Sequence, residues 1–295
     1  MLNMDILTSY SFIIVGSGTF LLAAIAGAVG CITVLKGQSL IGDAIGHAAF
    51  PGIILSFMLF MQREPVLLTL GAVASGTTAF MLIQVIKENS KLKLDAILAV
   101  VLSSFFGVGM VLKSYIQGNS NYKDAAQSGL SSYIFGQAAY IMKDDVKLIV
   151  YIGVPTLVLL VLFYKEIKLF LFDEIYAKAI GIRTFLLYGI ILVMTMGIIA
   201  AGLKLVGAIL ISSLLIIPAI TALQWSDKFS RVLMIAGVVG GVSALVGTYI
   251  STAYDGMSTG ATIILIMGSF AIISLVIGPH GMIKNLRMRR HGGND

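Results

Sequence analysis

Long apolar runs fill this chain, and charged residues fall between them. Nine runs are read, at roughly 10–35, 40–61, 66–86, 95–113, 146–164, 185–201, 203–224, 231–253 and 260–278. Each approaches the ~20 residues that carry a helix across a bilayer. None shows the ~10-residue alternating segments of a membrane barrel. The pattern predicts an all-α polytopic membrane protein of eight or nine transmembrane helices. Nine follows if every run spans separately. Eight follows if 203–224, which comes after its predecessor with almost no loop, is re-entrant or lies at the interface.

Composition agrees with that pattern. The 295 residues are 58% hydrophobic and 12% charged, about half the charge of a soluble domain. A net charge of +6 would suit nucleic acid, but its distribution follows topology instead. With the C-terminus placed inside, the inner connections hold Lys36, Lys87, Lys91, Lys93, Lys165, Lys168, Lys178, Arg183, Lys228 and Arg231. The tail adds Lys284, Arg287, Arg289 and Arg290. Arg63, Lys113, Lys123, Lys143, Lys147 and Lys204 remain outside. This bias is the positive-inside rule. It predicts a cytoplasmic C-terminus and, for nine spans, an external N-terminus, and it excludes nucleic acid as a partner. The chain reads as one transmembrane domain over 1–295, with an inner loop at 165–184 and an inner tail at 279–295.

Smaller features add little chemistry. No basic residue precedes the first apolar run, so that run is expected to stay as a helix rather than be removed as a signal peptide. The polar stretch 117–137 is expected outside, with a short surface helix. Cys31 is the only cysteine; it excludes an internal disulfide and reads as a small packing residue. The 32 glycines predict close helix packing.

One stretch breaks the apolar pattern. Gly42 to Ile53 reads GDAIGHAAFPGI and puts Asp43 and His47 inside an apolar run. The other acidic residues fall in loops or at segment ends, while His280 sits at the inner end of the last run and His291 in the tail. Ionisable groups in hydrocarbon are costly and usually functional. A spacing of four puts both side chains on one helix face, a turn apart. Such a pair can form a structural hydrogen bond, relay protons or bind a cation, and the spacing leaves all three open. As a cation site its donors suit Mn²⁺, Zn²⁺ or Fe²⁺ rather than Ca²⁺. Two ligands are too few, but a two-fold homodimer facing this helix with its copy would supply two Asp and two His. Gly42, Gly46, Gly52 and Pro51 fit close packing and a local helix distortion there. Ser212 and Ser213 either line a pathway or hydrogen-bond between helices.

At these residues the sequence resembles a known family. LKGQSLIGDAIGHAAFPGI, Leu35 to Ile53, is similar to the signature of the permease subunits of manganese, zinc and iron ABC importers. LKLVGAILISSLLIIPAITA, Leu203 to Ala222, resembles that family's second motif, and FDEIYAKAIGI, Phe172 to Ile182, its cytoplasmic coupling loop. The proline in AAFPGI looks more like the manganese and iron branch than the zinc branch. The resemblance covers nearly the whole chain. It implies a fold similar to the vitamin B12-type importer, with two permeases and two ATPases. It implies that Asp43 and His47 contact the metal, and that the loop with Asp173, Glu174, Ala177 and Gly181 couples to the ATPase. The implied function is import of a divalent transition metal, manganese first and zinc or iron as alternatives, with no permanently bound cofactor. The implied setting is a bacterial-type plasma (inner) membrane, with an extracellular metal-binding protein delivering the ion.

No G-x-x-x-x-G-K-[ST] occurs, so the chain is not expected to hydrolyse ATP by itself. Energy then comes from a separate ATPase or from an ion gradient. A gradient-driven carrier usually carries further membrane carboxylates in a relay, and only Asp43 is deeply placed. A proton-coupled carrier working without an ATPase is the weaker alternative, and an intramembrane enzyme weaker still, for want of a nucleophile motif. Within the inner loop, Asp173 and Glu174 are predicted at the start of a short helix and Gly181 just past its end. Phe170, Leu171, Phe172, Ile175 and Ala179 supply it with an apolar face.

Overall fold

A computed structural model gives the fold, and it describes residues 8–62, 64–119, 122, 136, 138–254 and 256–283. The regular elements among them are all helical: α1 (Tyr10–Leu35), α2 (Ile41–Phe60), α3 (Pro65–Asn89), α4 (Leu94–Gly118), α5 (Lys143–Leu162), α6 (Tyr164–Phe172), α7 (Glu174–Ala179), α8 (Thr184–Leu223), α9 (Phe229–Ala253) and α10 (Thr259–Ile277). A 3₁₀ turn covers Ala138–Tyr140. Nine stretches of the described residues are long and apolar enough to cross a membrane. The expectation of an all-α polytopic membrane protein is therefore met. Most of the polar stretch 117–137, with its expected surface helix, lies outside the described residues, as does the tail beyond residue 283.

Helix ends follow local chemistry. Ser9 caps α1 by accepting from the Phe12 N–H at 3.3 Å, and Pro65 opens α3 at its first position, where its missing N–H costs nothing. α2 runs through Pro51 as one helix. The runs expected at 185–201 and 203–224 are both present as spans, Thr184–Leu203 and Leu205–Leu223. They follow each other without a loop as two helices, numbered together as the 40-residue α8, and the backbone leaves the helical region at a kink, Gly207 (φ 80°, ψ 168°). That conformation is open essentially to glycine alone. An unbroken helix of this length would run ~60 Å, twice the hydrocarbon thickness. The two halves, Thr184–Leu203 and Leu205–Leu223, each have the length and apolarity of a span.

The chain divides into two compact units, one built from residues 1–39, 139–191 and 213–295, the other from 40–138 and 192–212. In the first unit α1 packs along α9 and against α5, and α9 packs on α10. Cys31 is fully buried among Ala219, Ala222, Val232 and Ala236, a small-residue seam that brings backbones close. The Thr19 and Thr248 hydroxyls pair across this packing at 3.1 Å.

In the second unit α2 lies against α3 and α4 and is buried along most of its length. Gly52 and Gly71 meet backbone to backbone, so a Cβ on either would collide with the other's carbonyl oxygen. Ser56 donates to the Leu67 carbonyl at 2.7 Å and Ser75 to the Ala48 carbonyl at 2.6 Å. Small residues and interhelical hydroxyl bonds are what hold helices together where lipid removes the usual hydrophobic drive.

Candidate functional site

Asp43 stands in the first turn of α2, where the unpaired N–H groups favour a negative charge. His47 follows one turn later. Its Nδ1 lies 3.2 Å from Asp43 Oδ1 and 3.0 Å from the Asp43 carbonyl oxygen. An imidazole held through Nδ1 presents Nε2 to a ligand, the arrangement by which an oxygen acceptor fixes the tautomer of a metal-binding histidine. The Phe106 ring meets the imidazole edge to face at 5.4 Å, with Phe50 behind it at 6.0 Å from Phe106. The Ser212 hydroxyl donates to the Ala208 carbonyl at 2.9 Å and lies against α2 at Gly46. Ser212 thus stands beside the pair with its hydroxyl proton on its own helix.

The pair is neither sealed nor surface-exposed. The His47 and Asp43 side chains are 19% and 34% exposed, although their helix neighbours Ala44, Ile45, Ala48 and Ala49 are buried to within 1%. Among the described residues no group of three or more His, Cys, Asp or Glu comes together to hold a metal. One chain therefore brings two donors, one oxygen and one nitrogen, to an incompletely covered face.

The second candidate region lies in the other unit. Asp173 caps α7 by accepting from the Tyr176 N–H at 2.8 Å. Glu174 is the first residue of α7, and Ala177 packs inward with no exposed surface. Gly181 has φ +87°, its N–H bonds the Lys178 carbonyl at 3.1 Å, and the Ile182 N–H bonds the Ala177 carbonyl at 3.0 Å. This crossed pair is a Schellman stop, and it needs the left-handed residue. The predicted apolar face divides: Phe170 is buried, while Phe172, Ile175 and Ala179 are exposed, joined by Tyr176 and Ile180. Ile175 reaches 84% exposure, on a helix too short to stand alone.

Lys36 and Tyr188 are the partners that the sequence hid. Glu174 Oε2 is 2.7 Å from Lys36 Nζ and 3.5 Å from the Tyr188 hydroxyl, while Oε1 is 2.9 Å from Lys178 Nζ. The Lys36 hydrogen bond, and to a lesser degree that of Lys178, hold the Glu174 carboxyl below the usual carboxylate range, against the smaller upward push of burial. Lys36 lies 138 residues away in sequence, beyond any local signal. Phe106 likewise carried no pattern that tied it to His47.

Comparison with known proteins agrees with this architecture. The sequence model of the ABC 3 transport family matches residues 9–278. The manganese transport system membrane protein MntC of Bacillus subtilis is 39% identical over 279 residues, covering 93% of this chain, which spans 63% of that relative's length. The zinc transport system membrane protein TroC of Treponema pallidum is 34% identical, covering 97% of this chain and 96% of its own. The chelated iron transport system membrane protein YfeD of Yersinia pestis is 35% identical over 88% of this chain. Among solved structures, PsaBC from Streptococcus pneumoniae in complex with Fab superposes with a TM-score of 0.81 at 28% identity, over 96% of this chain and 98% of that one. An inward-facing putative metal-chelate type ABC transporter shares the fold, with a TM-score of 0.67 at 16% identity. The helical membrane architecture, the motifs around Asp43 and Glu174 and the match across residues 9–278 together place this chain in the ABC 3 transport family of metal-ion ABC permeases.

Proposed function

We propose that this chain is the translocating subunit of an ATP-driven importer of divalent transition metal, and that the ion pauses at Asp43 and His47. The observation that carries the reading is the incompletely covered carboxylate–imidazole pair in the first turn of a membrane-spanning helix. A cation leaving water needs oxygen and nitrogen donors to replace its hydration, and this donor set suits Mn²⁺, Fe²⁺ and Zn²⁺. A second copy related by two-fold symmetry would complete a four-donor site. Manganese is the first choice, supported by the relative MntC, while the zinc and chelated-iron relatives keep those metals as alternatives.

The exposed apolar side chains on and beside α7 are the surface for a cytoplasmic ATPase, in an assembly of two permeases and two ATPases. Asp173, Glu174, Ala177 and Gly181 give α7 its start, its fastening, its packed face and its stop. An extracellular metal-binding protein would load the pathway from outside. The chain sits in a bacterial plasma membrane with its C-terminus in the cytoplasm, as the charge bias implies.

The test is uptake by liposomes that carry the reconstituted complex, offered Mn²⁺, Zn²⁺ and Fe²⁺ separately. ATP-dependent uptake led by Mn²⁺ is expected. Uptake led by Zn²⁺ would reassign the metal. Uptake that runs on a proton gradient without ATP would overturn the mechanism.

A further inference from the structure

We infer that Lys36 and Glu174 are positioning residues for transport: their ion pair is the strut through which movement of α7 reaches the helix that carries Asp43 and His47. The inference rests on the reading above, in which α7 meets the ATPase. Lys36 is gripped from several sides. Its Nζ lies 2.7 Å from Glu174 Oε2 and 3.4 Å from the Phe170 carbonyl oxygen. It also stands 3.7 Å from the Phe170 ring centroid and 5.6 Å from that of Tyr188. Those two rings meet edge to face at 4.7 Å, and the Tyr188 hydroxyl approaches the same carboxylate oxygen. α6, α7 and the first turns of α8 thus converge on one ammonium group at the end of α1.

Solvation separates this pair from an ordinary surface ion pair. Exposed pairs are weak and rearrange readily. The Lys36 and Glu174 side chains are 17% and 30% exposed, so the pair is partly shielded, and Phe170 beneath it is 1% exposed. Removal of water strengthens both the Coulomb and the cation–π attraction. Lys178 reaches the other Glu174 oxygen from the same helix, so it travels with α7 and transmits nothing.

The link onward is short. Lys36 is the C-cap of α1, with its N–H on the Ile32 and Val34 carbonyls. Residues 36–40 alone join α1 to α2. Within them the Gln38 N–H bonds back to the Thr33 carbonyl at 2.9 Å, and Gln38 is buried. Little slack chain remains between Lys36 and Asp43 to absorb a displacement delivered through the ion pair.

The complex of this chain with its ATPase and metal-binding protein, reconstituted at equal content, is assayed for Mn²⁺ moved per ATP hydrolysed. A role confined to folding would change how much complex is recovered and leave this ratio alone. Lys36→Met and Glu174→Gln are each expected to lower the ratio about tenfold, and the double variant no further than the worse single, because both remove one interaction. Lys36→Arg keeps the cation and is expected to track the unmodified complex. A single variant at the unmodified ratio, or a double variant down about a hundredfold as for independent sites, overturns the strut. An unmodified complex that takes up none of Mn²⁺, Zn²⁺ or Fe²⁺ with ATP overturns the transport reading, and the strut with it. Normal uptake with unaffected single variants overturns the strut alone.

Discussion

The same local device occurs twice in this molecule and is put to different uses. Asp43 and His47 are an acid and a base four residues apart at the start of α2, with 3.2 Å between them. Glu174 and Lys178 are an acid and a base four residues apart at the start of α7, with 2.9 Å between them. On α7 a second cation, Lys36, takes the other carboxylate oxygen, and the acid is saturated. On α2 the surroundings are alanine, phenylalanine and one serine hydroxyl. The face stays partly open, and no third His, Cys, Asp or Glu joins the pair among the described residues. A saturated pair fastens two parts of a fold. An unsaturated pair in a membrane span keeps donors in reserve for a ligand.

The largest effect should come from the unsaturated pair. Asp43→Asn keeps the shape and removes the charge, and His47→Ala removes the nitrogen donor. Each is expected to cut metal uptake by about a hundredfold or more, since outer-shell losses alone cost up to that. Membrane insertion and recovery of the complex should stay normal. Uptake at unmodified rates in both variants would make the α2 pair structural, like that of α7.

Next comes the stop of α7. Gly181→Pro removes the N–H that bonds the Lys178 carbonyl and forbids the positive φ. Metal uptake should fall about tenfold or more, as expected when a coupling element is displaced, with insertion intact. Gly181→Ala keeps the N–H and costs only about 1 kcal/mol, so uptake should fall less than twofold (~2). Equal losses from both would show that flexibility, rather than the stop, is what α7 needs.

Gly207→Ala probes the break in α8. Forcing a Cβ into that backbone region costs about 1–3 kcal/mol, read as a lowered unfolding temperature in detergent. An unchanged unfolding temperature would show that α8 can straighten at no cost.

Acidity gives the finest discrimination. The Glu174 carboxyl sits below its ordinary 4.5. A depressed carboxylate contributes its stability above the ordinary value and loses it as pH falls through the folded one. The α7 fastening should therefore be level from pH 8 to 5 and weaken only below about 4.5. Metal ligands must be deprotonated to bind, so uptake that declines toward about pH 5 would belong to the α2 pair. Loss of Mn²⁺ moved per ATP over that range, with metal binding unchanged, would contradict the assignment.

Much of this protein is written locally. The apolar runs mark the membrane-spanning stretches because a span must be about 20 residues long and largely uncharged whatever it packs against. The Asp43–His47 pair is equally local, since a spacing of four on a helix brings two side chains together. Asp173 and Gly181 bound α7 for the same kind of reason, as cap and stop act within one turn. What tertiary structure alone decided are contacts between residues far apart in sequence, where no periodicity operates. Lys36 read as one more inner-loop charge until folding laid it on Phe170 and Glu174. Phe106 and Ser212 gained a role only when α4 and the middle of α8 packed beside α2. The residue at which α8 breaks belongs to the same class, although the break itself was visible as two apolar runs. Gly202 and Lys204 are as good a local signal for it as Gly207, and packing chose the glycine at which the chain departs. Partnering, too, was settled in three dimensions: it brought no third His, Cys, Asp or Glu to the α2 pair among the described residues and gave Glu174 a cation on each carboxylate oxygen.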